Sequence, residues 1–97
     1  MLNRESLLKQ LLRYKEEHAR QYGIEQIGLF GSYARDTASE SSDVDVFVSL
    51  RHASVFLLSR IRIELEEMLG VSVDLVQLRE RMNPSLRRHI EQEAIRA

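Results

Sequence analysis

Residues 28–48 read GLFGSYARDTASESSDVDVFV, in which a first strand leads into a Gly-Ser pair and a second strand opens with Asp-Val-Asp. The apolar run from Ile24 to Phe30 is too short for a stable helix and stops at a glycine, so it predicts a first strand. The small, polar residues 31–42 are typical of a loop, with a helical turn after Ser32 as a further option. Residues 43–49 alternate valine with other side chains and predict a second strand, with the valines on one face and both aspartates on the other.

Two amphipathic helices are predicted on either side of this stretch. Residues 5–22 place leucines at three- and four-residue spacing among charged side chains, with Asn3 suited to cap the start and Gly23 suited to end the helix. Residues 55–69 repeat the pattern and stop at Gly70. Each helix therefore has one apolar face that must pack on the sheet.

The end of the chain adds a third strand and a third helix. Residues 71–78 alternate in character and contain Asp74, which predicts a strand with one acidic residue in its middle. Asn83 followed by Pro84 indicates a helix start, because Asn accepts hydrogen bonds from free amides and Pro is tolerated in the first turn. The order α-β-β-α-β-α predicts a single α+β domain over residues 1–97, a small mixed sheet with helices packed on it.

Composition narrows the class of protein. The 97 residues are 43% hydrophobic and 30% charged, which suits one compact globular domain. A formal net charge of -1 disfavours binding to nucleic acid through phosphate contacts. The chain has no cysteine, no apolar run near the ~18 residues of a membrane span, and no signal-peptide pattern, so we expect a cytoplasmic protein without membrane contact.

The Gly-Ser pair after the first strand has two interpretations. Gly31 lacks a Cβ, so the backbone can turn sharply there and approach a ligand, and the following amides can donate to a phosphate. Ser32 and Arg35 could add a hydroxyl and a guanidinium to such a site. Most Gly-Ser pairs after strands are ordinary turns, so this pair alone leaves both interpretations open.

The aspartates are harder to explain by structure alone. Asp43 and Asp45 stand on one face of a strand within ~7 Å of each other, where two like charges repel unless a cation or solvent intervenes. A solvated strand face is the alternative. Asp74 on a neighbouring strand would complete a cluster of three hard oxygen ligands, which favours Mg²⁺. A magnesium site beside a phosphate-binding turn indicates nucleotidyl or phosphoryl transfer.

These segments also carry a family resemblance. GSYAR at 31–35, SDVD at 42–45 and VDLV at 73–76 together resemble the signature of the minimal nucleotidyltransferases (MNT) of the polymerase-β-like superfamily. The similarity extends from about Ile24 to the C-terminus and implies the polymerase-β-like nucleotidyltransferase fold. The position after Arg35, commonly Gly in this family, is Asp36 here.

The resemblance assigns roles by position. It implies that Gly31 and Ser32 bind the triphosphate of a nucleotide, with Arg35 as a phosphate clamp or a structural ion pair. It also implies that Asp74 holds the catalytic metal and helps to deprotonate the acceptor. The implied catalytic and metal-binding set, around two Mg²⁺ ions, is Asp43, Asp45 and Asp74.

The resemblance also implies a function and a partner. Family members of this size are often antitoxins encoded beside a HEPN toxin, and some transfer AMP from ATP to a tyrosine of that toxin. The expected function is therefore Mg²⁺-dependent transfer of a nucleoside monophosphate, AMP from ATP, to a hydroxyl of a HEPN-type partner. The alternative is a non-catalytic antitoxin or interaction module that neutralises its partner by binding alone. A nucleotide- or nucleic-acid-binding regulator is a third possibility, which the charge balance disfavours.

Overall fold

The computed structural model describes residues 3–39, 42–79 and 82–97 and shows an α+β fold. Its sheet has four strands in the order β3-β2-β1-β4, in which β2 is antiparallel to β1 and parallel to β3, and β4 is antiparallel to β1. The predicted class, a small mixed sheet with helices packed on it, is confirmed. The elements are α1 Arg4–Tyr22, β1 Ile24–Phe30, α2 Gly31–Ala34, β2 Val44–Leu50, α3 Val55–Leu69, β3 Val73–Gln77, α4 Pro84–Glu93 and β4 Ile95–Arg96.

The helix ends follow the capping residues. The Asn3 side chain accepts a hydrogen bond from the Ser6 amide at 2.8 Å, and Gly23 ends α1 in the left-handed conformation at φ 67°. Gly70 ends α3 in the same way at φ 72°. The predicted caps are confirmed, while Ser54 caps α3 without having been predicted. None of the helices in the described ranges is long and apolar enough to cross a bilayer.

Two short elements lie outside the predicted order, and one of them is near the optional helical turn. The polar stretch 31–42 begins with a helical turn, α2, which starts at Gly31 itself and not after Ser32, and residues 40 and 41 lie outside the described ranges. The two-residue strand β4 follows α4 directly. The third strand covers Val73–Gln77, shorter than predicted. Elements of two to four residues complete no hydrophobic period, so the pattern of the sequence does not predict them.

The two faces of the sheet are covered differently. Val44, Val46 and Val48 of β2 are fully buried in the large core that α1 and α3 form on one face. Phe47, on the opposite face, packs with Phe30 and with Ile90 of α4. The predicted alternation along the second strand is confirmed, and it places the side chains that alternate with the valines on the face that α4 covers.

The topology brings three chain segments to one end of the strands. Because β2 and β3 are parallel, their first residues lie at the same end of the sheet. Because β1 is antiparallel to β2, its last residue, Phe30, lies at that end as well and pairs with Asp45. The turn that follows β1 therefore lies beside the starts of β2 and β3.

Gly28 lets β4 approach β1 closely. It pairs with Phe47 on one side and with Arg96 on the other. A Cβ at this position would collide with the Ile95 carbonyl oxygen and would lie 2.6 Å from Phe47 Cε1 and 2.9 Å from the Arg96 Cα. An isolated glycine within a strand commonly marks such a close backbone approach.

We expect Gly28→Ala to detach β4 and to lower the free energy of unfolding by about 1–3 kcal/mol, the usual range for overpacking. The Ala97 amide, which donates to the Ile27 carbonyl at 2.9 Å, should lose protection from hydrogen exchange. Urea denaturation and amide exchange measure the two effects. An unchanged stability with full protection of Ala97 would contradict the close approach.

Candidate active site

The parallel register of β2 and β3 sets Asp45 directly beside Asp74. The two residues are partners across the strand pair, one position after the pair formed by Val44 and Val73. Partners in register lie on neighbouring strands ~4.8 Å apart and point to the same face of the sheet. Asp45 is half-buried and Asp74 is exposed, while Asp43 is exposed and immediately precedes β2. The structure thus places the three predicted acids at the end of the sheet where β2 and β3 begin.

The charges of these acids act on one another. Burial raises the pKa of the Asp45 carboxyl, and the carboxylates of Asp74 and Asp43 raise that pKa further. A hydrogen bond between Asp45 and Asp74, which requires a proton on one of them, also raises the pKa of Asp45, whereas the positive charge of Arg35 lowers it. The ionised pair is therefore unfavourable in the folded protein unless a cation is present.

The donor set has the chemistry that a divalent cation requires. Carboxylate oxygens are the ligands that Mg²⁺ prefers in proteins. Within the described ranges, no three acidic or histidine side chains are already arranged around a common centre. The paired carboxylates of Asp45 and Asp74 are the part of the set that the fold preforms, and Asp43 lies at the start of the same strand.

Gly31 is required by the position of Asp45. The residue has a φ of +70°, which side chains rarely adopt, and a Cβ built on it would collide with Asp45 Oδ2 and lie 2.9 Å from Cγ. The Asp45 carboxyl group therefore occupies the space where any other residue would place its side chain. This contact joins the turn to the acid pair.

The first turn of α2 has free donors beside this contact. No side chain caps the turn at Phe30. Ser32 is half-buried, its carbonyl accepts a hydrogen bond from the Thr37 amide at 2.9 Å, and its hydroxyl has no partner among the described residues. These donors suit an oxygen-rich ligand such as phosphate, and the binding of a nucleotide by Gly31 and Ser32 stays a prediction.

Arg35 is held by the last helix. Its Nη1 atom lies 2.8 Å from Glu93 Oε2, and the same oxygen lies 3.1 Å from His89 Nε2. An exposed ion pair of this kind contributes at most about 1 kcal/mol to stability, so its main effect is on where the guanidinium lies. The structure shows the ion pair, which was one of the two roles implied for Arg35, and the phosphate contact stays a prediction.

The loop accommodates Asp36 in a conformation that favours glycine. Asp36 has a φ of 60°, and its amide donates to the Tyr33 carbonyl at 3.2 Å. Aspartate is one of the few residues that adopt this region at moderate cost. The turn thus keeps the left-handed geometry that glycine allows, and the Asp36 side chain is exposed.

One contact that positions the site has no sequence signal. Arg4 Nη1 donates to the Ala34 carbonyl at 3.1 Å and links the start of α1 to the end of α2. The two residues are 30 positions apart, and a half-buried arginine at a helix start has no pattern that predicts its partner. The turn is therefore supported from α1 as well as from α4.

We expect Gly31→Ala to be more destabilising than Gly70→Ala. The two glycines have nearly equal φ angles, +70° and +72°, but a Cβ on Gly70 meets nothing within 4 Å. Gly70→Ala should cost about 1 kcal/mol for the backbone conformation alone. Gly31→Ala adds the collision and should also shift the NMR signal of the Asp45 carboxyl carbon. Equal losses in urea denaturation with an unmoved signal would contradict the contact.

We expect Asp45→Asn to raise the melting temperature of the metal-free protein at neutral pH. Because the folded pKa of Asp45 is raised, its protonated form contributes stability below the ordinary pKa of aspartate, and this contribution is lost as the pH rises through the folded pKa. The variant has no carboxyl group to ionise at this position, so its melting temperature should change less with pH between the ordinary pKa of aspartate and the raised pKa of Asp45. Glu25→Gln, which changes an exposed acid on β1, is the charge-matched control. A lower melting temperature for Asp45→Asn would contradict the unfavourable pairing.

Comparisons with known proteins identify the family of the chain. The profile of the nucleotidyltransferase domain family matches residues 9–97. Protein adenylyltransferase MntA of Thermococcus cleftensis is 42% identical over 78 residues, which cover 78% of this chain and 78% of that protein. A solved structure of a proposed minimal nucleotidyltransferase is 32% identical and has a TM-score of 0.79, over 97% of this chain and 95% of that one.

A fold match of lower identity has the same architecture. It is a chain from the complex of a tri-AMPylated Shewanella oneidensis HEPN toxin with an MNT antitoxin, with a TM-score of 0.72 at 19% identity over 96% of this chain and 70% of that one. At this identity the match concerns the fold alone. The family profile and the MntA relative extend over most of the chain. The resemblance carried by GSYAR, SDVD and VDLV is thereby confirmed, and the chain belongs to the nucleotidyltransferase domain family as a minimal nucleotidyltransferase, an enzyme.

Proposed function

We propose that this nucleotidyltransferase moves AMP from ATP to a hydroxyl group of a HEPN-type partner protein, as the antitoxin of a toxin-antitoxin pair. The observation that carries the proposal is the in-register pair of Asp45 and Asp74 in contact with the turn at Gly31. The name of the MntA relative, protein adenylyltransferase, supports AMP as the group transferred. The complex of an AMPylated HEPN toxin with an MNT antitoxin supports the partner.

The acids would hold Mg²⁺, with two ions expected. Asp43 and Asp45 would hold the two ions, and Asp74 would hold the catalytic metal from the neighbouring strand. Bound there, the metal supplies charge neutralisation at the phosphate oxygens and lowers the pKa of the acceptor hydroxyl. The raised pKa of Asp45 supports this role, because the pair needs positive charge to ionise fully.

The chain's own residues orient the substrates and accept the proton. The amides of the turn at Gly31 and the Ser32 hydroxyl would bind the β- and γ-phosphates. The acceptor oxygen then forms a bond to the α-phosphorus while the bond from that phosphorus to the β-phosphate oxygen breaks, so that pyrophosphate leaves. The acceptor proton passes to the carboxylate of Asp74, the exposed member of the pair.

The test is to incubate the protein with ATP, Mg²⁺ and a HEPN-domain protein from the same genome, and to measure the added adenylyl mass by mass spectrometry. We expect transfer by the wild-type protein and at least about a hundredfold slower transfer by Asp74→Asn, because general-base catalysis contributes about that much or more. Asp43→Asn and Asp45→Asn should also be inactive. Chelation of Mg²⁺ should stop the reaction, and Glu25→Gln should be as active as wild type.

The same experiment separates catalysis from neutralisation by binding alone. If the toxin is neutralised equally by wild type and by Asp43→Asn, with no adenylyl mass added in either case, the catalytic proposal is wrong. The non-catalytic interaction module is then the correct function.

A further inference from the structure

The outer edge of β3 has free backbone amides. The Val44 amide donates to the Ser72 carbonyl at 3.0 Å, and the Leu78 amide donates to the Val48 carbonyl at 2.8 Å. These two bonds show which amides of β3 point toward β2, because the backbone amides of a strand point alternately to its two neighbours. The amides of Val73, Leu75 and Gln77 therefore point away from β2, toward the outer edge of the sheet.

Glu66 covers the first of these amides and leaves the next two open. Its Oε2 atom accepts a hydrogen bond from the Val73 amide at 2.9 Å, and Arg62 holds its other oxygen at 3.0 Å. The outward amides of Leu75 and Gln77 have no partner in the described part of the chain. Strand pairing along this edge is thus possible over Leu75–Gln77 and stops at Val73.

Apolar side chains flank the open edge on both sides. Val55, at the start of α3, is 78% exposed, and Leu86, in the first half of α4, is 38% exposed. Together with β3 they line one open groove. Exposed apolar side chains beside unpaired backbone are the features of a site that binds an extended peptide by strand addition. The apolar residues that line it are Val55, Leu58, Leu75, Val76, Met82 and Leu86.

The groove is continuous with the acid pair. Asp74 precedes Leu75 in the same strand, and one residue of strand advances about 3.3 Å. A segment paired along Leu75–Gln77 must leave the edge at the level of Asp74, because Glu66 blocks further pairing. The first side chain beyond the paired part would then lie within reach of the Asp74 carboxylate.

We propose that the partner's acceptor-bearing segment binds in extended form along the outer edge of β3, in this groove, with its hydroxyl residue next to Asp74. The inference rests on the proposed function and names where its protein substrate lies. The segment should have apolar side chains at alternate positions, to match the groove walls. The net charge of -1 and the apolar lining favour a peptide over a nucleic acid as the occupant.

The decisive comparison is Gln77→Pro with Gln77→Ala. Proline removes the outward amide and blocks an added strand, whereas alanine removes only the side chain. Proline is tolerated here because that amide makes no bond to β2, and Val76 before it is already extended. Circular dichroism and the melting temperature verify that both variants fold.

The reaction uses ATP, Mg²⁺ and a HEPN-domain protein from the same genome. We expect Gln77→Pro to transfer AMP at least about tenfold more slowly at low acceptor concentration, with the dissociation constant for ATP unchanged. Gln77→Ala keeps the outward amide and should lose clearly less activity than Gln77→Pro. An independent variant, Val55→Glu, should raise the KM for the acceptor, and Ile63→Glu, at a 47% exposed position of α3 outside the groove, is its control.

The outcomes separate this inference from the proposed function. A wild-type rate for Gln77→Pro overturns the edge site, and so does an equal loss in Gln77→Pro and Gln77→Ala. If the wild-type protein transfers no AMP, the proposed function fails, and calorimetric binding of the HEPN-domain protein still tests the site: unchanged affinity for Gln77→Pro overturns it, and lost affinity supports it. A dimer in gel filtration that Gln77→Pro converts to a monomer assigns the edge to a second copy of the chain and overturns the proposal.

Discussion

The parallel pairing of β2 with β3 fixes the position of every acid in the site. Buried Val44 and Val73 are partners in this register, so the large core on one face of the sheet determines that Asp45 and Asp74 meet on the other. A slip of one residue would turn Asp74 to the opposite face. The connection through α3 carries the chain back to the end of the sheet where β2 starts, which makes the pairing parallel and brings both strand starts together.

The arrangement of the acids and the turn serves the site at the expense of stability. Burial and the carboxylates of Asp74 and Asp43 raise the pKa of Asp45, and a glycine in a left-handed conformation makes room for the Asp45 carboxyl group. Neither feature stabilises the fold. Functional sites commonly retain such local strain because the surrounding core holds it in place. Here the fully buried valines of β2 hold the strand that carries Asp45.

Much of the fold was predictable because its signals are local. Asn3, Gly23 and Gly70 marked helix ends, and the valines of β2 marked a strand with one buried face. The strand β4 was missed, and α2 was only an optional helical turn, because such short elements contain no repeating pattern. The cluster of Asp43, Asp45 and Asp74 was predicted because Asp74 was expected on a strand next to the one that carries the other two acids. The parallel register that pairs Asp45 with Asp74 was not predicted.

Other parts of the site depend on contacts between distant residues. The ion pair of Arg35 with Glu93 joins residues 58 positions apart, and neither has a neighbour in sequence that predicts the other. Gly28 did have a signal, as an isolated glycine in a strand, but its partner in β4 was not predicted. The conformation of Asp36 follows from the turn and not from its own preference.

Glu66 has a consequence for the behaviour of the protein in solution. A sheet edge with every amide free is a template for fibre growth, and stacked assemblies typically require six or seven paired residues. By accepting the bond from Val73, this carboxylate shortens the open edge of β3 to two amides. That length is shorter than the segments that stacked assemblies pair, so this edge of the sheet is a poor template for fibre growth.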